Sequence, residues 1–103
     1  MTKTPQDCMT MAEVRAGVDA TDRELSALLG RRFDYMAAAA RIKTDRATIR
    51  DEARKAEVLA NAKANARATG VPEPLAAALW EMLIESSIAY EMALFEAKAA
   101  EAA

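Results

Sequence analysis

The fold turns on residues 10–43, TMAEVRAGVDATDRELSALLGRRFDYMAAAARIK. Thr10-Met11-Ala12-Glu13 has the form of a capping box. The threonine side chain can accept the N–H three residues on, the glutamate can reach back to the threonine N–H, and Met9 and Val14 hold the two positions of a hydrophobic staple. A helix is therefore expected to begin at Met11. From there Met11, Val14, Val18, Thr21, Leu25, Leu28, Arg32, Tyr35, Ala39 and Ile42 recur at alternating spacings of three and four, one helical face that continues to Lys43. The spacing predicts one long helix over 11–43. Gly17 and Gly30 each cost it about 1 kcal/mol relative to alanine, and so weaken it locally or mark close backbone contacts.

All three prolines are Pro5, Pro72 and Pro74, so residues 6–71 escape the strongest helix breaker. The polar run Thr44 to Thr48 is the expected break. Ile49-Arg50-Asp51-Glu52 then opens a second helix over about 49–69, with acids in its first turn where the macrodipole favours them. Gly70 followed by Pro72 ends it. Pro74 suits the first position of a third helix over about 74–98. Leu75, Leu79, Met82, Leu83, Met92 and Phe95 mark its apolar face, and the Ala-rich tail Lys98 to Ala103 is expected to fray. No strand pattern, internal repeat or long heptad array is present. The fold class is all-α, a single domain over 1–103 with one long and two shorter helices. At 1.5 Å per residue the first helix is about 50 Å long, against a radius of gyration of about 13 Å for a compact domain of this size. Two shorter helices cannot cover its seam. The expected solution is an intertwined, symmetric homodimeric bundle in which helix 1 crosses its mate.

Of the 103 residues 52% are hydrophobic and 29% charged, roughly a quarter are alanine, and there is no histidine and one cysteine, Cys8. That excludes an internal disulfide, a Cys/His zinc site and a His-assisted nucleophile. An enzyme of this composition works with Arg, Lys, carboxylates and hydroxyls, on a reaction that needs orientation and electrostatics more than proton shuttling. Neither metal nor cofactor is expected. With a net charge of −2, the chain lacks the basic field of a nucleic-acid binder. No leader-like or membrane-spanning stretch is evident, and a cytoplasmic location with Cys8 reduced is expected.

Several polar residues occupy apolar positions. Arg32 lies on the helix 1 seam, and Lys43, eleven residues on, is about 20° away on the helical wheel. Either both cations snorkel to water or they serve an inward-facing anionic site. Arg15 is about 25 Å along the axis from Arg32 and about 100° round, so these two residues of one chain cannot hold one small ligand and could meet only across a dimer. Arg54 follows the cap region containing Asp51 and, taken alone, reads as a surface charge. On helix 3, Ser87 and Glu91 are i, i+4 neighbours on a stripe with Trp80, Ile84 and Leu94; Glu91 is either solvated at its edge or functional. Trp80 and the methionines read as packing, and the Ala37 to Ala40 run as a tight helix contact.

The ordered set Arg15, Arg32, Lys43, Asp51 with Arg54, then Ser87 and Glu91, on helices of these lengths, resembles the all-α chorismate mutase family over nearly the whole chain. The local matches are Val14-Arg15 through Asp19, Asp22, Leu28, Arg31-Arg32 and Lys43, the Ile49-Arg50-Asp51…Arg54 start of helix 2, and Ile84-Glu85-Ser86-Ser87. The resemblance implies a dimer with two sites, each receiving Arg15 from the partner. Arg15 and Arg32 would bind the carboxylates of chorismate, with Arg54 in support. Lys43 would hold a carboxylate and donate to the ether oxygen, Glu91 would approach that oxygen from the other side, Asp51 would meet the ring hydroxyl, and Ser87 would lie close by. The implied reaction is the Claisen rearrangement of chorismate to prephenate, which needs no nucleophile, metal or cofactor.

Two departures matter. Family members carry Gln or Glu at the position of Glu91, and only a protonated carboxyl donates to an ether oxygen. Lys55 stands where mutases usually place a glutamate. The opening Thr4-Pro5-Gln6-Asp7-Cys8 and Lys55 resemble the isochorismate-pyruvate lyase branch, whereas Asp51 and Ser87 fit the mutase pattern. Mutase is the primary expectation, lyase the alternative, and a non-enzymatic helical dimer the third.

Overall fold

In the computed structural model, which describes residues 2–102, the chain is all-α. A 3-10 turn at Pro5–Asp7 is followed by α1 (Met11–Ile42), a second 3-10 turn at Arg46–Thr48, α2 (Glu52–Thr69) and α3 (Glu73–Ala102), with no strand among the described residues. Contacts divide the chain into two units, one ending at Asp34 and the other beginning at Tyr35, so the boundary falls within α1.

In the first unit the capping box closes in both directions. Glu13 N–H donates to Thr10 Oγ1 at 3.2 Å, while Glu13 Oε1 accepts the N–H groups of Thr10 at 3.1 Å and Met9 at 3.0 Å. Lys3 Nζ lies 2.5 Å from Glu13 Oε2. That ammonium first, and then the Met9 and Thr10 N–H groups, hold the Glu13 carboxyl below its ordinary range. A Cβ on Gly17 would meet only the Lys3 carbonyl oxygen at 3.9 Å, and one on Gly30 nothing within 4 Å. Neither glycine marks a close contact within this chain. The apolar seam of α1 stays open to solvent: Val18, Leu25 and Leu28 are each 51% exposed, and Tyr35 and Ile42 more so.

In the second unit α2 packs against α3, with Ala62 and Ala66 buried on α2 and Ala76, Ile84, Ser87, Glu91 and Phe95 on α3. The turn between them uses Gly70 at φ 79°, a left-handed conformation that glycine adopts without a Cβ clash. Ala40, Ile49 and Phe95 form a buried cluster against which Ile88 and Met92 pack. This cluster explains why α2 does not start at Ile49. Ile49 is committed to the core, and the chain delivers it through the Arg46–Thr48 turn, whose cap is Asp45 accepting the Ala47 N–H at 2.9 Å. Asp51 then caps α2 by accepting the Arg54 N–H at 3.0 Å, and the helix begins at Glu52. The tail from Lys98 to Ala102, expected to fray, is helical. Alanine is the strongest helix former, and Lys98 is tied down by the contacts described below. Met1 and Ala103 lie outside the described residues. No helix among the described residues is long and apolar enough to cross a membrane.

Candidate active site

The face of α3 that carries Ile84, Ser87, Glu91, Phe95 and Lys98 repeats at three and four residues. The first four side chains are buried and the last is half-buried. Ser87 Oγ donates to the Leu83 carbonyl at 2.6 Å, which satisfies its hydroxyl proton inside the helix. Glu91 is only 5% exposed. A carboxylate so deep needs a partner, and it has one: Lys43 Nζ, from the residue just past the end of α1, donates to Glu91 Oε2 at 2.8 Å. The same ammonium donates to the Thr48 carbonyl at 3.1 Å. The segment between α1 and α2 therefore folds around a cation whose other contact is a buried acid 48 residues away.

The other candidates are placed as follows. Arg15, exposed, and Arg32, half-buried, belong to the first unit. Asp51 and Arg54 are joined at the start of α2 through the cap bond, and both are exposed; the Arg54 guanidinium pairs with Glu57. The structure thus brings Lys43 and Glu91 together, sets Ser87 one turn from Glu91, and joins Asp51 to Arg54. Lys55 has a definite place as well. Its ammonium donates to Glu81 at 2.7 Å and Glu85 at 2.9 Å. Glu85 also takes Arg50 Nη2 at 2.6 Å. Arg50 first, then Lys55, pull the Glu85 carboxyl down to about 2.

The family model Chorismate mutase type II matches residues 14–92. The chain belongs to the type II chorismate mutase family. Among its relatives, the isochorismate pyruvate lyase of Pseudomonas aeruginosa is 34% identical over 90 residues, which cover 87% of this chain and 89% of that protein. As a member of the type II family the chain is an enzyme of that family, and the family binds a small-molecule substrate. All seven candidate residues lie inside the matched stretch. Lys98, which sequence reasoning assigned to a frayed tail, lies beyond it, and its ammonium reaches the end of α1. The available signal was its spacing: seven residues from Glu91 is two helical turns, on the same face.

Proposed function

We propose that the chain is a chorismate mutase whose site is completed by a second copy. The observation that carries this is the Lys43–Glu91 pair: a cation and a buried carboxyl from separate segments, held 2.8 Å apart without histidine or metal-ligating cysteine. In the rearrangement one ether C–O bond breaks as one C–C bond forms in a closed cycle of electron pairs, and nothing leaves the molecule. Negative charge builds on the ether oxygen in the transition state. An ammonium with three donors can keep Glu91 and turn another N–H to that oxygen, and a protonated Glu91 can donate to it from the other side. Arg32, with Arg15 from the partner, is assigned to the two carboxylates, and holding them selects the compact conformer in which the reacting carbons meet. Asp51, by the oxygen not used in the cap, is assigned to the ring hydroxyl, with Arg54 and Ser87 beside it. The exposed apolar seam of α1 supports the second copy, because Val18, Leu25, Leu28 and Tyr35 form a stripe that a monomer leaves in water.

A second reading, isochorismate pyruvate lyase, is favoured by the named relative and by the Thr4–Cys8 opening. It uses the same cations on the same kind of ether oxygen: the C–O bond breaks as a ring hydrogen passes to the enolpyruvyl methylene, so that pyruvate leaves and the ring becomes the aromatic ring of salicylate. The test is direct: purified protein is incubated separately with chorismate and with isochorismate, and prephenate, salicylate and pyruvate are quantified. Prephenate from chorismate is the expected result. Salicylate and pyruvate from isochorismate, without prephenate, would establish the lyase instead, and no turnover of either would leave a helical dimerisation module.

A further inference from the structure

The C-terminal turn of α3 holds a polar contact that the proposed reaction does not use. Helix α1 ends at Ile42, and the last carbonyls of any helix lack intrahelical partners. Here two of them, and the carbonyl of Lys43 just beyond the helix, meet one side chain. Lys98 Nζ donates to the carbonyls of Ala40 at 2.8 Å and Lys43 at 2.7 Å, with a longer contact to Arg41 at 3.4 Å. Three acceptors match the three N–H donors of an ammonium, and a cation at a helix C-terminus is favoured by the macrodipole. The ammonium also lies 4.8 Å from the Phe95 ring centroid, and Phe95 itself packs with Ala40 in the buried cluster. Arg46, in the turn that follows, pairs with Glu96 on the same end of α3 at 2.5 Å. Lys98 therefore grips the backbone carbonyl of the very residue, Lys43, whose side chain meets Glu91 two turns earlier on α3. Backbone and side chain of Lys43 are fixed by two points on one helix face.

We propose that Lys98 is a positioning residue: it clamps the C-terminus of α1 so that the Lys43 ammonium is held against Glu91. It touches neither substrate nor reacting atoms. Its kinetic consequence rests on the function proposed above, whereas its structural consequence does not. A neutral side chain at position 98 loosens the last turn of α1 and lets the Lys43 ammonium wander. A displacement on the order of 1 Å in such a group costs up to about 100-fold in rate.

The test compares wild type with Lys98→Met, which removes charge and donors, and Lys98→Arg, which restores both. Far-UV circular dichroism and thermal melting check that each variant folds. Amide hydrogen exchange is read at Lys43, whose N–H donates to the Ala39 carbonyl at 2.9 Å, and at amides in the middle of α2 and α3. Expected for Lys98→Met are faster exchange at Lys43 with α2 and α3 unchanged, and a kcat lower by about 10- to 100-fold with a smaller change in KM. Lys98→Arg should recover most of both. Unchanged Lys43 exchange, or uniform loss of protection in all helices, would overturn the proposal, as would full kcat in a folded Lys98→Met. If wild type turned over neither chorismate nor isochorismate, the enzymatic reading would fall while exchange at Lys43 still decided the clamp. Should Lys98→Met not fold, the wild-type Lys98 ammonium decides: its 1H–15N signal, assigned by its loss in Lys98→Arg, should persist against solvent exchange, and its absence would overturn the clamp.

Discussion

At the scale of single residues, the proposed chemistry concentrates on Glu91. In the unliganded chain it accepts from Lys43, but toward an ether oxygen a carboxyl is useful only as a donor, and it donates only while protonated. Glu91→Gln places a permanent amide donor there and should keep most of the activity, while Glu91→Ala should lower kcat by about 100-fold. Steady-state kcat for the three proteins checks this, and a Glu91→Ala variant as active as wild type would remove Glu91 from the role. Some of this was legible from sequence and some was not, for a physical reason. The Thr10–Glu13 capping box is local: both partners lie within one turn, and the residue types specify the bonds. The buried carboxylate at Glu91 was visible as an anomaly on an apolar stripe, with its burial undecided. The face of Lys98 could be read from its spacing to Glu91, but its partners could not, because its acceptors are backbone carbonyls 55 to 58 residues earlier, and every residue offers a carbonyl.

At the scale of elements, α3 is tied to the start of α2 by a charged cluster in which Glu85 takes both Arg50 and Lys55. Arg50 and Glu85 are substantially exposed and Lys55 less so, so solvent screens the pairs and their contribution is modest. Its pH dependence has a definite sign. The Glu85 carboxyl is drawn from its ordinary 4.5 to about 2 by Arg50 and then Lys55. The stabilisation is thus complete above the ordinary value and is lost as pH falls through the window between the two. Glu85→Gln should melt at a lower temperature than wild type at pH 7 and at pH 5, with the gap closing toward pH 2. A gap that is the same at pH 7 and pH 2 would contradict the assignment. The same cluster gives Lys55 a structural occupation in place of the glutamate expected of a mutase. The start of α2 shows where periodicity misleads. Ile49-Arg50 followed by two acids reads as an opening helical turn, but Ile49 is 5% exposed in the core and Asp51 is the cap. A capping aspartate and a first-turn aspartate carry the same letter, and only the tertiary commitment of Ile49 separates them.

At the scale of the whole molecule, the sequence showed that a long apolar seam needs a cover, and the chain alone leaves Val18, Leu25, Leu28, Tyr35 and Ile42 in solvent. Arg15 and Arg32 belong to the unit that ends at Asp34, and Lys43, Asp51, Arg54, Ser87 and Glu91 to the unit that begins at Tyr35. The separation of Arg15 and Arg32 along one helix, about 25 Å, is what makes a second copy necessary to the proposed site. This central claim is tested most directly by subunit complementation. Arg15→Ala and Lys43→Ala are each expected to be inactive alone. Unfolded together in equal amounts and refolded, they form mixed dimers in which one site combines Lys43 of the first variant with Arg15 of the second. Recovery of about a quarter of wild-type activity per site is the result predicted for Arg15 acting in trans. Mixtures that recover nothing, from variants that fold and dimerise and a wild type that is active, would contradict it.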